Sequence, residues 1–398
     1  MQFISDREEI IYRSPWPQDL YCYTPSLANG FNGRLLLSFD IAGPGLKKFP
    51  GPKTDIGDFG SNQLHIYFSD DRGRNWQPSA TLAMLHARIF KAGKALYVIG
   101  HSGRLIISRS DDNGETWSRP TVLNEGPLNW HQSACSMDYR HGKVYLSMEH
   151  MPFKDRWGSA GDPILMAARE EDDLCRPASW TFSNKAEFLA LTPRSTDICG
   201  ANPSCWLESN VVRIYDPNHR LYDPEDRSVL LFLRLRSMLD NYAAVLKGYE
   251  APDGSLSLDT VKQPDGTPLL YVPFPGGGMK FQIAYDEQDK LYWLIATQTA
   301  WHGMNKHATF SRERRRLELY YSQNLFDWGS AGMVAIGPAE HASRHYASLL
   351  IVDEDMLVLS RSGDLDAKSR HDTNLITLHR IPNFRRLAPP PCNPTDKR

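Results

Sequence analysis

The chain repeats one short turn motif, and the distance between the two copies constrains the fold more than any other feature. SDDRGRNW begins at Ser69 and SDDNGETW at Ser110, so both follow the pattern S-x-D-x-G-x-x-W, with tryptophans 41 residues apart. The aspartate is suited to accept hydrogen bonds from local backbone N–H groups, while the glycine can adopt a positive φ angle. A spacing of about 40 residues is typical of one four-stranded blade of a β-propeller. A shorter echo, SQNLFDW, begins at Ser322.

A second repeat gives the number of blades. A short apolar segment, a polar turn and another apolar segment form the signature of a β-hairpin. It occurs six times, beginning at Ser26, Ile89, Met137, Val212, Ile283 and Leu349. We therefore predict an all-β fold, a six-bladed β-propeller with Asp-box turns over residues 1–383. The N-terminal segment EEIIYRS is expected to supply the last outer strand, and 384–398 are expected to form a Pro-rich tail.

Charge and hydropathy exclude several classes of partner. Lys plus Arg is 45 and Asp plus Glu is 47, which gives a formal net charge of −2. This balance lacks the basic excess that a phosphate backbone requires, so we expect no nucleic acid partner. No apolar run approaches the length of a membrane span, and MQFISDREEIIYRS lacks the pattern of a signal peptide. The expected location is cytoplasmic unless a leader was removed, and the sequence does not determine the oligomeric state.

Cysteine and histidine spacing does not indicate a metal site. The six cysteines lie at irregular intervals, and only Cys199 and Cys205 are close enough to suggest a bridged loop. His302 and His307 do not have the spacing of a helical metal-binding pair. We predict neither a metal nor another cofactor.

The strand prediction also places polar residues around the propeller axis. The innermost strand of each blade begins near one mouth of the axial channel, and the second strand returns to it. Residues at these two positions should line a common pocket, which is the usual place for a binding site. The inner strands begin near Tyr23, His86, His131, Glu208, Lys280 and Tyr346. The second strands end near Asp40, His101, Glu149 with His150, Arg234 with Arg236, Gln298 and Arg361.

With its Asp-boxes, six blades and ordered polar positions, nearly the whole chain resembles the sialidase superfamily. That family has an arginine in an R-I-P motif on the first inner strand, an aspartate in a following loop and a glutamate opening the fourth blade. Two more arginines and a tyrosine opening the last blade complete its site. The resemblance implies an arginine clamp for a carboxylate, a Tyr–Glu pair as nucleophile and base, and an aspartate as acid/base.

The family's positions can be matched one at a time. Tyr346 in HYASLL takes the position of the nucleophile, and Glu208 in ESNVVRI that of its base. Arg234 or Arg236 is placed as the second arginine, and Arg314 as the third, with Arg315 and Arg316 as alternatives. The acid/base position falls on Asp58 or Asp55. Further residues expected to bind substrate are Tyr23, His86, His131, Glu149, His345 and Arg361.

One position departs from the family pattern. The R-I-P motif reads Tyr23-Thr24-Pro25 here, so a tyrosine replaces the first arginine of the clamp. Losing a charged partner for a buried carboxylate costs about 2–5 kcal/mol, which argues against sialic acid as the substrate. The chain also resembles uncharacterised sialidase-like proteins found beside polysaccharide-degrading enzymes, for which the fold does not give the activity.

These observations support three hypotheses, each with a glycan or oligosaccharide as partner. The first is an exo-glycosidase that releases a terminal, acidic sugar. The second is a polysaccharide lyase acting at a uronic acid, with His86, His131, His345 or Tyr346 as base and arginines neutralising the carboxylate. The third is a non-catalytic glycan-binding propeller that uses the aromatic faces of Trp130, Trp206 and Trp301.

Overall fold

The structure, a computed structural model, describes residues 3–55, 60–124, 129–151, 161–192, 205–236, 240–299 and 313–389. Its strands form six antiparallel sheets, and each sheet contacts the next around a closed ring. The fold is therefore the predicted six-bladed β-propeller. Within the described ranges, no helix has the length and apolar character needed to cross a bilayer.

The first three blades follow one another along the chain after β1 (Glu8–Arg13), which belongs to the last blade. Blade 1 contains β2 (Tyr21–Cys22), β3 (Ser26–Asn29), β4 (Leu35–Ala42), β5 (Asn62–Ser69) and β6 (Gln77–Leu82). Blade 2 contains β7 (Leu85–Ala92), β8 (Ala95–His101), β9 (Leu105–Ser110) and β10 (Thr121–Val122). Blade 3 contains β11 (Trp130–His131), β12 (Asp138–Arg140), β13 (Lys143–His150), β14 (Asp162–Arg169) and β15 (Trp180–Phe182).

The remaining blades complete the ring. Blade 4 contains β16 (Cys205–Val212), β17 (Ser228–Arg236), β18 (Tyr242–Glu250), β19 (Leu256–Lys262), β20 (Pro268–Leu269) and β21 (Tyr271–Pro273). Blade 5 contains β22 (Gln282–Asp286), β23 (Leu291–Gln298), β24 (Arg316–Ser322) and β25 (Gly329–Ile336). Blade 6 contains β26 (Arg344–Val352), β27 (Asp355–Ser362), β28 (Leu375–Ile381) and the N-terminal β1. The described helices are α1 (Phe188–Leu191) and the 3₁₀ turns Pro44–Lys48, Pro177–Ser179 and Phe384–Leu387.

In both copies of the turn motif the aspartate accepts hydrogen bonds from local backbone N–H groups, as predicted, and the serine hydroxyl accepts one as well. The backbone N–H of Gly73 donates to Ser69 Oγ at 2.8 Å, and that of Asn75 donates to Asp71 Oδ1 at 2.9 Å. The second copy repeats both bonds around Ser110 and Asp112, at 2.8 and 2.9 Å. In the shorter echo the residue with positive φ is Leu325, at 69°. A side chain there is strained, but Leu325 is fully buried and packs in the core.

Among the described residues, six large apolar clusters each lie between two neighbouring blades, and a small seventh cluster joins Met151 to Cys205 and Leu207. Alternating apolar residues on both faces of the blades interlock in this way, so the apolar surface is buried between sheets and the axis is left to polar residues. Phe384, which opens the segment assigned to the tail, is fully buried against Trp293 with ring centres 5.0 Å apart. Residues 390–398 lie outside the described ranges.

The ring closes within blade 6. Strand β1 pairs antiparallel with β28, with Glu8 opposite His379. The Glu8 carboxylate also accepts two hydrogen bonds from Arg344 in β26, both 2.7 Å long. These contacts hold the first strand of the chain in the blade that carries Tyr346.

Candidate active site

Three axial residues have a backbone conformation that is rare for residues other than glycine. His86, Glu208 and Tyr346 have φ angles of 52°, 58° and 53°. They lie in the innermost strands of blades 2, 4 and 6, each where pairing with the second strand shifts register. Such a bulge re-aims a side chain, and backbone strain of this kind concentrates at functional sites. A bulge of the same kind therefore presents one polar residue to the axis from blades 2, 4 and 6.

Arg234 joins the predicted nucleophile to its predicted base. Its Nη1 donates to Tyr346 Oη at 2.6 Å and to Glu208 Oε2 at 3.1 Å. Its Nε donates to the carbonyl of Gly278 at 2.8 Å, which fixes the guanidinium plane. Ser133 Oγ donates to the other oxygen of Glu208 at 3.0 Å. The phenol and the carboxylate thus lie in one buried hydrogen-bonded cluster.

The surroundings set the protonation state of this pair. Burial raises the pKa of Tyr346 to about 12, although Arg234 acts in the opposite direction. Burial also opposes the charge of Glu208, but Arg234, His131 and a hydrogen bond from Tyr346 outweigh it and lower the pKa of that carboxyl. At neutral pH the pair is therefore a phenol beside a carboxylate, which is a proton donor beside a base.

Two further arginines lie beside Tyr346. The guanidinium carbon of Arg361 is 5.2 Å from the centre of the Tyr346 ring and 4.1 Å from that of Tyr23. Burial and the positive charges of Arg234 and Arg361 lower the pKa of Arg314, although Tyr346 opposes this. Burial also lowers the pKa of Arg361, which is 2 % exposed. Two buried cations, Arg234 and Arg361, and the partly buried Arg314 thus share one small region, an arrangement that favours an anionic ligand.

Sequence reasoning missed two residues that support Tyr23. The phenol of Tyr23 donates to Asp372 Oδ1 at 2.8 Å, and the same oxygen lies 2.7 Å from His371 Nδ1. Arg361 donates to the backbone carbonyl of His371. Burial works against the charge of Asp372, yet its hydrogen bonds from His371 and Tyr23 lower its pKa to about 2. The signal available in the sequence was the His-Asp pair ahead of the terminal strand, which begins at the same mouth of the channel.

A histidine cluster occupies the side of the site formed by blades 2 and 3. The ring centres of His86, His101 and His131 lie 5.1–5.6 Å apart. His131 Nδ1 is 2.9 Å from Glu149 Oε2. Burial lowers the pKa of His86 and of His101 well below the usual value, and the neighbouring His131 adds to the effect. Both imidazoles are therefore neutral at physiological pH.

Asp40 lies beside this cluster. The backbone N–H of His86 donates to its Oδ1 at 3.3 Å, and Asn62 Nδ2 donates to its Oδ2 at 2.8 Å. Asp40 is fully buried, and burial raises its pKa to about 7 despite these hydrogen bonds.

The structure also distinguishes among the alternatives that the sequence left open. Arg234, and not Arg236, contacts Tyr346 and Glu208 in the described hydrogen bonds. Arg314 is the member of its triplet that lies electrostatically close to Tyr346. Arg315 donates to the carbonyl of Gly337 at 2.6 Å, and Arg316 to Glu313 at 3.1 Å.

Other predicted residues lie behind the pocket surface or outside the described ranges. Glu149 and His345 are both 0 % exposed, so each would act on a ligand through a neighbour. Glu149 accepts from Ser209 N at 3.2 Å as well as contacting His131. Asp58 lies outside the described residues, as does Cys199 of the suggested bridge, while Asp55 is exposed. In the part of the chain that is described, no group of three or more His, Cys, Asp or Glu side chains is arranged to hold a metal ion.

Solved structures with this fold are similar to the chain at low sequence identity. A protein of unknown function from Dyadobacter fermentans superposes with a TM-score of 0.59 at 13 % identity, covering 95 % of this chain and 98 % of its own. Trypanosoma rangeli sialidase in complex with sialic acid gives 0.57 at 12 % identity, covering 97 % of this chain and 61 % of its own. Penicillium chrysogenum alpha-L-arabinanase complexed with arabinobiose gives 0.52 at 13 % identity, covering 95 % and 98 %.

Sequence comparison adds no closer relationship, because no protein-family model and no curated protein matches the chain. The likeness to solved structures therefore concerns the architecture: the chain has the six-bladed, sialidase-like β-propeller fold.

Proposed function

We propose that the protein is an exo-acting glycoside hydrolase that releases a terminal, acidic sugar from a glycan. The observation that carries this proposal is the buried cluster in which one arginine binds both a phenol and a carboxylate. Arg234 contacts Tyr346 at 2.6 Å and Glu208 at 3.1 Å. This arrangement fits a nucleophile with its base, since the carboxylate accepts the phenol's proton while the arginine stabilises the phenolate.

Structural neighbours give independent support for a sugar substrate. One is a sialidase bound to sialic acid, and another is an arabinanase bound to arabinobiose. They share the fold with this chain at 12–13 % identity, so they support the class of reaction and leave the sugar open.

Charge supports the preference for an acidic sugar. Arg234, Arg314 and Arg361 surround Tyr346, and Arg361 stacks on the tyrosine that replaces the family's first arginine. A carboxylate between these guanidinium groups would gain charge-assisted hydrogen bonds and relieve their mutual repulsion. The third cation comes from the second strand of blade 6 instead of the first strand of blade 1, so the clamp differs in shape from that of a sialidase.

The reaction that this geometry supports proceeds in two steps with retention. Tyr346 Oη bonds to the anomeric carbon while Glu208 takes the phenol's proton, and the glycosidic bond breaks as an acid protonates its oxygen. Water then replaces the tyrosine on the anomeric carbon while its proton passes to the conjugate base of that acid, and the proton held by Glu208 returns to the phenol. We assign the acid to Asp58, which falls outside the described residues.

Product analysis on a glycan panel tests the proposal. The panel would contain terminal uronic and ulosonic acids and neutral arabinose, and products would be assayed for a new reducing end and for ultraviolet absorbance. We expect release of a saturated acidic monosaccharide. An absorbing, unsaturated uronate would show a lyase instead, and binding without turnover would show a glycan-binding propeller.

A further inference from the structure

His86 completes a set of three equivalent positions that the proposed mechanism uses only twice. Its φ angle of 52° matches those of Glu208 and Tyr346, and the register shift in β7 matches the shifts in β16 and β26. A strained backbone costs about 1–3 kcal/mol at each position and persists where the surrounding structure enforces it. Because two of the three strained residues form the proposed catalytic pair, the third is placed to contact the same ligand.

The ring nitrogens of His86 have different surroundings. Nδ1 lies 3.3 Å from His101 Nε2. Within the described part of the chain, no protein atom forms a hydrogen bond with Nε2, and the residue is only partly buried. One nitrogen is thus fixed by the protein, and the other is available to a ligand.

His101 decides which nitrogen of His86 carries the proton. Its own Nδ1 is buried and has no hydrogen-bond partner among the described residues. A buried N–H without an acceptor is rarer in proteins than an acceptor without a donor. The proton of neutral His101 therefore belongs on Nε2, which donates to His86 Nδ1. Neutral His86 then carries its proton on Nε2, facing the pocket.

We infer that His86 binds the terminal sugar as a neutral imidazole whose Nε2–H donates to a sugar oxygen, and that His101 is the positioning residue that fixes this tautomer. The inference rests on the proposed function for the identity of the ligand. The charged and titratable groups around His86 are Asp40, His101, His131, Arg361 and His371. Burial and the nearby cations disfavour a positive charge on the ring, so it acts as a hydrogen-bond donor and not as an acid.

Long-range proton–nitrogen spectra of the full-length protein with ¹⁵N-labelled histidine test the tautomer directly. His86→Gln would identify the His86 signals. His219 serves as an internal reference, since its Nδ1 accepts from the N–H of Leu221 at 3.0 Å and its proton must be on Nε2. We expect the same form for His86 at neutral pH. A proton on Nδ1, or an imidazolium, would overturn the inference.

Variants of His101 test its positioning role in the same spectra. His101→Gln retains an amide N–H at the right distance and should keep the Nε2–H form of His86. His101→Phe removes the donor and should give a mixture of both tautomers. An unchanged His86 spectrum in a folded His101→Phe protein would refute the role of His101.

Titration with free sugars tests contact with the ligand. N-acetylneuraminate, D-glucuronate and L-arabinose would each be added to the parent protein, and we expect at least one to move the His86 Nε2 signal while His219 stays fixed. If none does, the contact is refuted.

Steady-state kinetics provides a second measurement of the contact between His86 and the ligand. Asparagine tolerates positive φ but is too short to replace Nε2, whereas glutamine reaches that position. His86→Asn should raise KM by about 10–100-fold and His86→Gln by less than about 10-fold. Equal losses in both variants would contradict a donor role. A protein that turns over no glycan would count against the proposed function, while the spectra and titrations would still decide the role of His86.

Discussion

The guanidinium of Arg361 lies between two tyrosine rings, 4.1 Å from the centre of Tyr23 and 5.2 Å from that of Tyr346. Tyr23 occupies the position where the family pattern has an arginine, and the phenol is held by Asp372 at 2.8 Å. The missing cation is therefore supplied from β27, with the tyrosine as its aromatic platform.

Arg361→Met should weaken binding of an acidic sugar more than it slows the chemical step. Because the cation acts on the bound anion, KM should rise about 10–100-fold while kcat changes by less than about 5-fold. Steady-state kinetics would measure both. Arg13→Met, which removes an exposed ion pair with Asp364, is the control and should leave both constants unchanged. An equal KM for Arg361→Met and the parent would exclude Arg361 from the clamp.

Tyr346→Phe and Glu208→Gln should each abolish turnover without unfolding the protein. Both substitutions keep the side-chain size but remove the nucleophile or its base, so kcat should fall about 10³-fold or more. The matched control is Tyr139→Phe, because Tyr139 is 39 % exposed and its hydroxyl donates to the carbonyl of Lys91. Full activity in either pocket variant would remove the catalytic assignment.

Turnover of the substrate should persist at low pH. The base must be ionised, and the pKa of Glu208 lies below its usual 4.5 because Arg234 outweighs the effect of burial. Activity should therefore decline only below about pH 4.5. At the alkaline end, the pKa of Tyr346 of about 12 predicts no ionisation of the phenol up to pH 10. A midpoint of the acid limb at pH 6 or above would contradict Glu208 as the base.

Asp40 should make the protein less stable as the pH rises. The pKa of Asp40 is about 7 in the folded protein, compared with 3.8 for an ordinary aspartate. The folded state therefore binds the proton more tightly than the unfolded state does. The stabilisation that this proton gives the folded protein is fully present below about pH 4, and it is lost as the pH rises through 7. Asp40→Asn removes this dependence and should gain about 2–4 kcal/mol over the parent by pH 8.

Thermal unfolding between pH 4.5 and 8 would measure this difference. Asp253→Asn is the control, since hydrogen bonds from Ser255 lower the pKa of this exposed carboxyl and give the opposite sign. A constant difference between Asp40→Asn and the parent at every pH would show that Asp40 titrates normally.

Glu8→Ala should destabilise the closed ring. Glu8 accepts two 2.7 Å hydrogen bonds from Arg344, which is 4 % exposed and would lose its carboxylate partner. The expected loss in the free energy of unfolding is about 1–3 kcal/mol, measured by denaturant titration. Glu9→Ala, which removes a neighbouring carboxylate with no ion pair among the described residues, should cost less than about 0.5 kcal/mol. Equal losses would refute the contribution of this pair.

The sequence predicts the architecture because the repeats act locally. The turn spacing from Ser69 to Ser110 and the six hairpins define the blades, and strand alternation then places Glu208 and Tyr346 at the axis. Both residues meet at Arg234 in the structure. The periodicity of strands therefore carries information about a site built from distant segments.

Contacts that depend on loops and bulges could not be predicted in this way. The stacking of Arg361 on Tyr23 depends on the path of the chain around Asp372, which no periodicity describes. The bulge at His86 follows from a shifted register, and the sequence of β7 carries no glycine to mark it. Arg234 and Arg236 share one face of β17 because they are two residues apart, so the choice between them depends on which one lies beside the bulge in β16.

The pairing of β1 with β28 has a consequence for how the protein folds during its synthesis. Glu8 and Arg344 are separated by 336 residues, so their contact cannot form until the ribosome has released the chain through Arg344. Long-range pairings of this kind form slowly, and until then β28 has an open edge. Since β26 belongs to the same blade, the surroundings of Tyr346 are complete only after β28 has been synthesised and has paired with β1, so a nascent fragment with five folded blades would lack the proposed active site.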